Sequence, residues 1–351
     1  MKKLNLIFGF DYELPLSGAR SIDVGLFNPA EKLLEAAQAA NIPICLFSDI
    51  LSYHKFKEWG NKEYCSKYEA QTQKAIDYGN EIQLHIHPQW LETTYNDDRF
   101  YPPLTYSLAD YADPQGEFTI ENIIQLSQEA LSDLCKPFDS NFKSVAYRAG
   151  GLTLYPHTKR IITALMENGI KIDSTIAKGY YWVNSQLHVD FRNMPAKPIW
   201  FLSPDNAINE EGESGIFEIP IAGKPKNFIT NFPTRFKRKK YAYREYDCQA
   251  LPWPHSPKST KWDHFLNSFT PRVLGFDFFT QNVEDVMSVL EYNLKIYDKY
   301  DTVYLSTLGH PKLMGDYAIE TMLGFVKRVR EKYSGLVEFT TFKKIAENLK
   351  K

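Results

Sequence analysis

The 351-residue chain contains no run of about 18 consecutive apolar residues, so no membrane-spanning helix is expected. It also lacks a dominant charge: 41 Lys and Arg against 43 Asp and Glu leave a net charge of −2. That balance provides no global field to draw in a nucleic acid or an anionic membrane, and no nucleic-acid partner is expected. Cysteine is scarce. Cys45, Cys65, Cys135 and Cys248 form no C-x-x-C pair, which excludes a zinc ribbon and suits a reducing compartment. No G-x-G-x-x-G follows the first strand candidate, which removes support for a dinucleotide-binding fold. The opening "MKKLNLIFGFDYE" has lysines ahead of an apolar segment, as a secretory leader would. Asp11 and Glu13 interrupt the segment early and no small-residue cleavage site follows, so the expected location is cytoplasmic.

What is present is a regular alternation of strand and helix patterns. Strand candidates occupy 4–13, 42–49, 81–88, 144–151, 170–176, 216–222, 272–279, 302–310 and 337–342. Between them lie helical patterns at 28–41, with Asn28 as the expected cap and Pro29 at the first helical position, and at 67–80, 119–135, 158–169, 282–298 and 316–332. Repeated β-α units imply an α/β chain with a parallel sheet and helices outside. The number of strands favours a distorted (β/α) barrel of about seven or eight strands over an open doubly wound sheet. Two stretches break the rhythm, 177–215 and 223–271, both rich in Pro, Trp and Tyr. They read as long loop insertions in one domain spanning 1–351. The basic run "RFKRKKYAYR" at 235–244 reads as a solvated face or as a receiver of phosphate or anionic lipid. Aromatics make up 15% of the chain, which suits ring-shaped ligands such as sugars and equally a Phe-rich core.

In a parallel barrel the active site lies at the C-terminal ends of the strands. Those ends carry Asp11-Tyr12-Glu13, Ser48-Asp49, His85-Ile86-His87, Arg148-Ala149-Gly150-Gly151, Asp173 and His310-Pro311. With a side-chain period of two, Asp11 and Glu13 share one face, as do His85 and His87. Carboxylate plus imidazole is a donor set for zinc or another divalent transition ion, which polarises a carbonyl and acidifies water. His310, from a distant strand, is placed to protonate a leaving group. Each group also has a plainer reading. The histidine pair can be satisfied core residues, the two acids a solvated turn, Arg148 a structural ion pair, and Asp173 a capping or turn residue.

In this order the motifs resemble those of the polysaccharide deacetylase family with the NodB-homology domain. "GFDYE", "GNEIQLHIHPQW", "YRAGG", "GIKIDSTI" and "LGHPKLM" carry the likeness, from residue 9 to about 314. The resemblance implies a distorted (β/α) barrel, one divalent metal, usually zinc, and hydrolysis of an N- or O-acyl group from a sugar, with an acylated carbohydrate as partner. It implies Asp11 as general base, Arg148 as its orienting partner, His310 as general acid, and Glu13 and His85 as metal ligands. It also aligns Asp173 with the acid that tunes the general-acid histidine. The family commonly places its second histidine four residues after the first. Here that position is Gln89, and His87 is the imidazole available as the third ligand. A tyrosine also separates Asp11 from Glu13, where the family usually has adjacent acids.

Overall fold

The computed structural model describes residues 3–15, 18–96, 99–185, 187–226, 258–277 and 282–349. Seven strands run parallel in the order Ile216–Glu218, Ile172–Asp173, Ala146–Ala149, Glu81–Ile86, Ile44–Asp49, Lys3–Tyr12 and Thr302–Ser306. Ile221, just past the first of these, bridges to Ala177 on one side and to Ser306 on the other, which brings the two margins of the sheet together. Val337–Phe339 adds to the lower half of the Lys3–Tyr12 strand, and Trp200–Leu202 pairs antiparallel with Ile216–Glu218. The expected barrel of about seven or eight strands is therefore present.

Strand parity divides the side chains between two cores. Leu6, Phe8 and Phe10 face outward and pack with helix residues such as Leu33, Leu34 and Phe325. Ile7, Cys45, Phe47, Ala146 and Ile172 face inward and cluster with Phe342, Ile345 and Ala346 of the C-terminal helix, Phe342–Asn348. That helix closes the bottom of the barrel. Glu81, the first residue of its strand, accepts the backbone N–H groups of Phe342 and Lys343, satisfying donors that a helix start leaves free. The inward stripe of the Glu81–Ile86 strand is polar throughout. Above Glu81 comes Gln83, whose Oε1 accepts from the backbone of Val145 and Ala146, and then His85. The alternation E-I-Q-L-H-I-H is thus one buried apolar face and one buried polar face.

Several elements differ from the sequence expectation. Asn28 caps nothing: a π-helical turn, Asp23–Phe27, runs directly into the helix Asn28–Ala39, so Asn28 lies within continuous helix. The helix expected at 67–80 begins at Lys62, where the Asn61 side chain accepts from Tyr64 N, and Ile50–Glu58 is a helix with no counterpart in the expectation. The pattern at 119–135 holds, with Thr119 and Asn122 forming a capping box. Of the strand expected at 272–279, Arg272–Val273 pairs antiparallel with Gly223–Lys224 and Gly275 forms a single parallel bridge to Leu308; residues 278 and 279 lie outside the described residues. The 177–215 insertion leaves the top of the barrel and forms a hairpin of Tyr181–Val183 with His188–Asp190. Most of the second insertion, including the basic run at 235–244, lies outside the described residues. No helix of the described residues is long and apolar enough to cross a membrane.

Candidate active site

Asp11, Glu13, His85, His87, Arg148 and His310 meet at the C-terminal mouth of the barrel, supplied by four strands or the turns that follow them. Arg148 is completely buried. Its Nη1 donates to Asp11 Oδ1 at 2.6 Å, Nε to Ser174 O at 2.8 Å, and Nη2 to Thr307 O at 3.0 Å and Ser306 Oγ at 3.2 Å. Its guanidinium lies 4.1 Å from the centre of the Phe47 ring. Gly9 is required beneath it, since a Cβ there would sit 2.8 Å from Nη2. Burial alone would raise the pKa of Asp11. Arg148, followed by His85 and His310, outweighs it and holds the carboxyl below the ordinary aspartate range. Oδ1 is thereby clamped, while Oδ2 turns toward His310 Nε2, 3.6 Å away.

Glu13, His85 and His87 form a buried group whose ligand atoms all lie within 4.8 Å of one another, and such a group can hold a metal ion. The His85 Nδ1–H donates to the Arg148 carbonyl at 2.8 Å, which leaves Nε2 facing Glu13 Oε2 at 3.1 Å. His87 Nε2 abuts the same oxygen, yet it is buried without a hydrogen bond. With its Nδ1–H already committed, His85 Nε2 faces that oxygen lone pair to lone pair unless it is protonated or a cation stands between them. Four carboxyl groups, Asp11, Glu13, Asp49 and Asp277, stand around this mouth against two fixed cations, Arg148 and Lys312. The shortage registers on His85. Burial opposes its charging, but Asp11 and Glu13 prevail and push its pKa up to about 9. A divalent ion would supply the charge that this proton supplies, and the donor set of two imidazoles and one carboxylate fits one.

Three further residues belong to the site. Lys312, on the turn after His310, donates to Glu13 Oε1 at 2.8 Å and to Leu14 O at 2.9 Å, while Oε2 of Glu13 faces His85 and His87. Burial would raise the Glu13 pKa, but Lys312 and then His87 hold it well below the usual glutamate range. Asp277 Oδ2 lies 3.4 Å from His310 Nδ1. Burial disfavours charge on His310, yet Asp277, Asp11 and Glu13 together raise its pKa. Asp49 receives the indole N–H of Trp90 on Oδ2 at 2.7 Å, while its Oδ1 is buried with no partner, and burial pushes its pKa up to about 6. Asp49 and Asp277 both stand at strand-like ends in the sequence. Lys312 had a signal only in being two residues past His310. Within this group His310 is the most open, with 21% of its side chain accessible against 1% for His85.

The structure does not bring Asp173 to His310. Ile172 belongs to the inward cluster, so parity turns Asp173 to the opposite face. There it pairs with Glu218 and accepts from Thr175 N at 3.0 Å and Thr175 Oγ1 at 2.8 Å. Asp277 stands beside His310, where the family resemblance had placed Asp173. Burial, followed by the negative Asp173, drives the Glu218 pKa well above its ordinary value. The unfolded chain therefore loses this proton at lower pH than the folded chain, so stability falls as pH rises from the ordinary glutamate pKa toward the raised one. Glu218→Gln is expected to remove part of that loss, so that its stability falls less than that of wild type between pH 5 and pH 8. Urea unfolding at the two pH values checks this, and an unchanged difference between them would refute it.

No protein-family profile and no curated protein sequence matches the chain. Solved structures do. A protein named as a polysaccharide deacetylase from Mycobacterium smegmatis aligns over 99% of this chain and 91% of its own, at 15% identity and a TM-score of 0.53. Another protein so named, from Pseudomonas aeruginosa PAO1, aligns over 98% and 90% at 14% identity and a TM-score of 0.50. The 4-alpha-glucanotransferase from Thermococcus litoralis aligns over 99% of this chain but 40% of its own, at 13% identity and a TM-score of 0.51. With its parallel barrel and a coverage that leaves out almost none of its residues, this chain has the NodB-like polysaccharide deacetylase fold.

Proposed function

We propose that the protein is a metal-dependent hydrolase that removes an acyl group, such as acetyl, from an acylated sugar. The observation that carries this is the convergence, at one barrel mouth, of a clamped carboxylate, a donor set for a divalent ion and a histidine backed by an acid. Two structures of the same fold are named as polysaccharide deacetylases, which favours an acylated carbohydrate as substrate. Zinc suits two imidazoles and one carboxylate with a position left open. Bound there by Glu13 Oε2, His85 Nε2 and His87 Nε2, the ion supplies Lewis acidity toward the acyl carbonyl.

The chain's own groups divide the proton work. Asp11 has one oxygen held by Arg148 and accepts on the other the proton of the attacking water. The water oxygen bonds to the acyl carbon, and the bond from that carbon to the sugar nitrogen or oxygen breaks. His310 carries a proton on Nε2, favoured by Asp277 behind it, and delivers it to the departing atom. Arg148 is a positioning residue, because its contacts are with Asp11, backbone carbonyls and Ser306.

Purified protein incubated with N- and O-acetylated sugars is expected to release acetate when zinc is added. A chelator should abolish the release, and His310→Ala should lower it by about 10²–10⁴-fold. Release from a small non-sugar amide alone would redirect the reading to an amidohydrolase. Absence of any release with zinc, cobalt or manganese would overturn it in favour of a carbohydrate-binding role.

A further inference from the structure

We infer that Gln89 is a positioning residue that fixes the His87 ring in the tautomer able to bind a cation. The inference rests on reading Glu13, His85 and His87 as an ion site. His87 leaves the top of the Glu81–Ile86 strand and packs against Gly150, where a Cβ would come within 2.9 Å of its Nδ1. The ring is 4% exposed, so its two nitrogens must be satisfied within the protein. Its Nδ1 meets the side-chain amide of Gln89 at 3.3 Å, and its Nε2 faces Glu13 Oε2 with no hydrogen bond.

A neutral imidazole carries one N–H. A proton on Nε2 would be given to Glu13 Oε2, the oxygen that nitrogen abuts, and would close the site to a cation. A proton on Nδ1 needs an acceptor, and the amide of Gln89 has one. Gln89 Oε1 is buried and has no partner while Nε2 points at the ring. Half a turn of the amide exchanges the two ends without moving the rest of the side chain. The oxygen then accepts the Nδ1–H, and Nε2 of His87 presents its lone pair to the site. The result matches the neighbouring ring, in which His85 Nδ1–H donates to the Arg148 carbonyl and Nε2 faces the same Glu13 oxygen. Two rings, 4.8 Å apart and nearly perpendicular, are thus held by two different acceptors for one purpose. Gln89, four residues after His85, acts behind the third ligand and is not a ligand itself.

Zinc affinity, measured by competition with a chromogenic chelator, separates this role from packing. Gln89→Leu keeps the size and removes the acceptor, and is expected to weaken binding by about 10–100-fold. Gln89→Glu supplies a stronger acceptor and is expected to bind at least as tightly as wild type. A packing role predicts the reverse order, because leucine is the better buried side chain. Equal affinity in wild type and Gln89→Leu, or weaker binding in Gln89→Glu than in Gln89→Leu, overturns the inference. If wild type binds no divalent ion, the ion site itself is overturned, which is a separate result. Circular dichroism of both variants confirms that affinities are compared between folded proteins.

Discussion

Asp11→Asn is expected to lower kcat for deacylation by about three orders of magnitude while leaving the bound-metal content unchanged. Both halves follow from the division of labour at the barrel mouth. Asp11 lies outside the Glu13, His85 and His87 group, so replacing its carboxylate removes no ligand. The amide keeps the volume and still offers an oxygen to Arg148 Nη1, now 2.6 Å from Oδ1. What it cannot do is accept a proton on the side that faces His310. A general base of this kind contributes about 10²–10⁴-fold. Glu13→Gln should behave differently, with metal content falling and activity lost as a consequence. Steady-state kinetics and elemental analysis of the two variants check the contrast. An Asp11→Asn enzyme within about tenfold of wild-type kcat would remove Asp11 from the proposed proton transfer.

Arg148→Met is expected to be the most destabilising single substitution at the site, by about 3–5 kcal/mol. The methionine leaves the Asp11 carboxylate buried with its main counter-charge gone. It also strands the carbonyls of Ser174 and Thr307, which accept from Nε and Nη2. Those carbonyls belong to the ends of two different barrel strands, so the guanidinium ties the sheet together across its interior. The double variant Arg148→Met with Asp11→Asn should recover part of the loss, because the stranded charge disappears with its partner. Guanidinium chloride unfolding of wild type, both single variants and the double variant gives the coupling directly. A loss below about 1 kcal/mol in Arg148→Met, or no recovery in the double variant, would show that the pair is not what holds this region.

The comparison of expectation with structure turns on parity and on what lies far away along the chain. The barrel was legible because buried parallel strands are written as short apolar runs between helical patterns, and "LNLIFGF", "ICLF" and "SVAYRA" read that way without any partner in view. The mouth residues were legible for a related reason: a polar side chain at the end of an apolar run has to be placed somewhere, and Asp11, Glu13, His85, His87, Arg148 and His310 were all found so. Boundaries were less legible. Asn28 has the look of a cap, but the chain before it is already wound, and capping requires a start.

The sequence alone determined the strand rhythm, the barrel class and which side chains have chemistry at strand ends. Only the tertiary structure decided which of them share a space. Asp173 is one residue out of phase with the inward face, and no composition reveals on which side a two-residue strand will lie. Lys312 and Glu13 are 299 residues apart, and Asp277 reaches His310 across 33. Such pairings are set when the sheet margins meet at Ile221 and Ser306, because closure sets the distances between strand ends. The roles of Lys312, Asp277 and Gln89 follow from distances between side chains. Local sequence pattern carries no information on those distances until the barrel has closed.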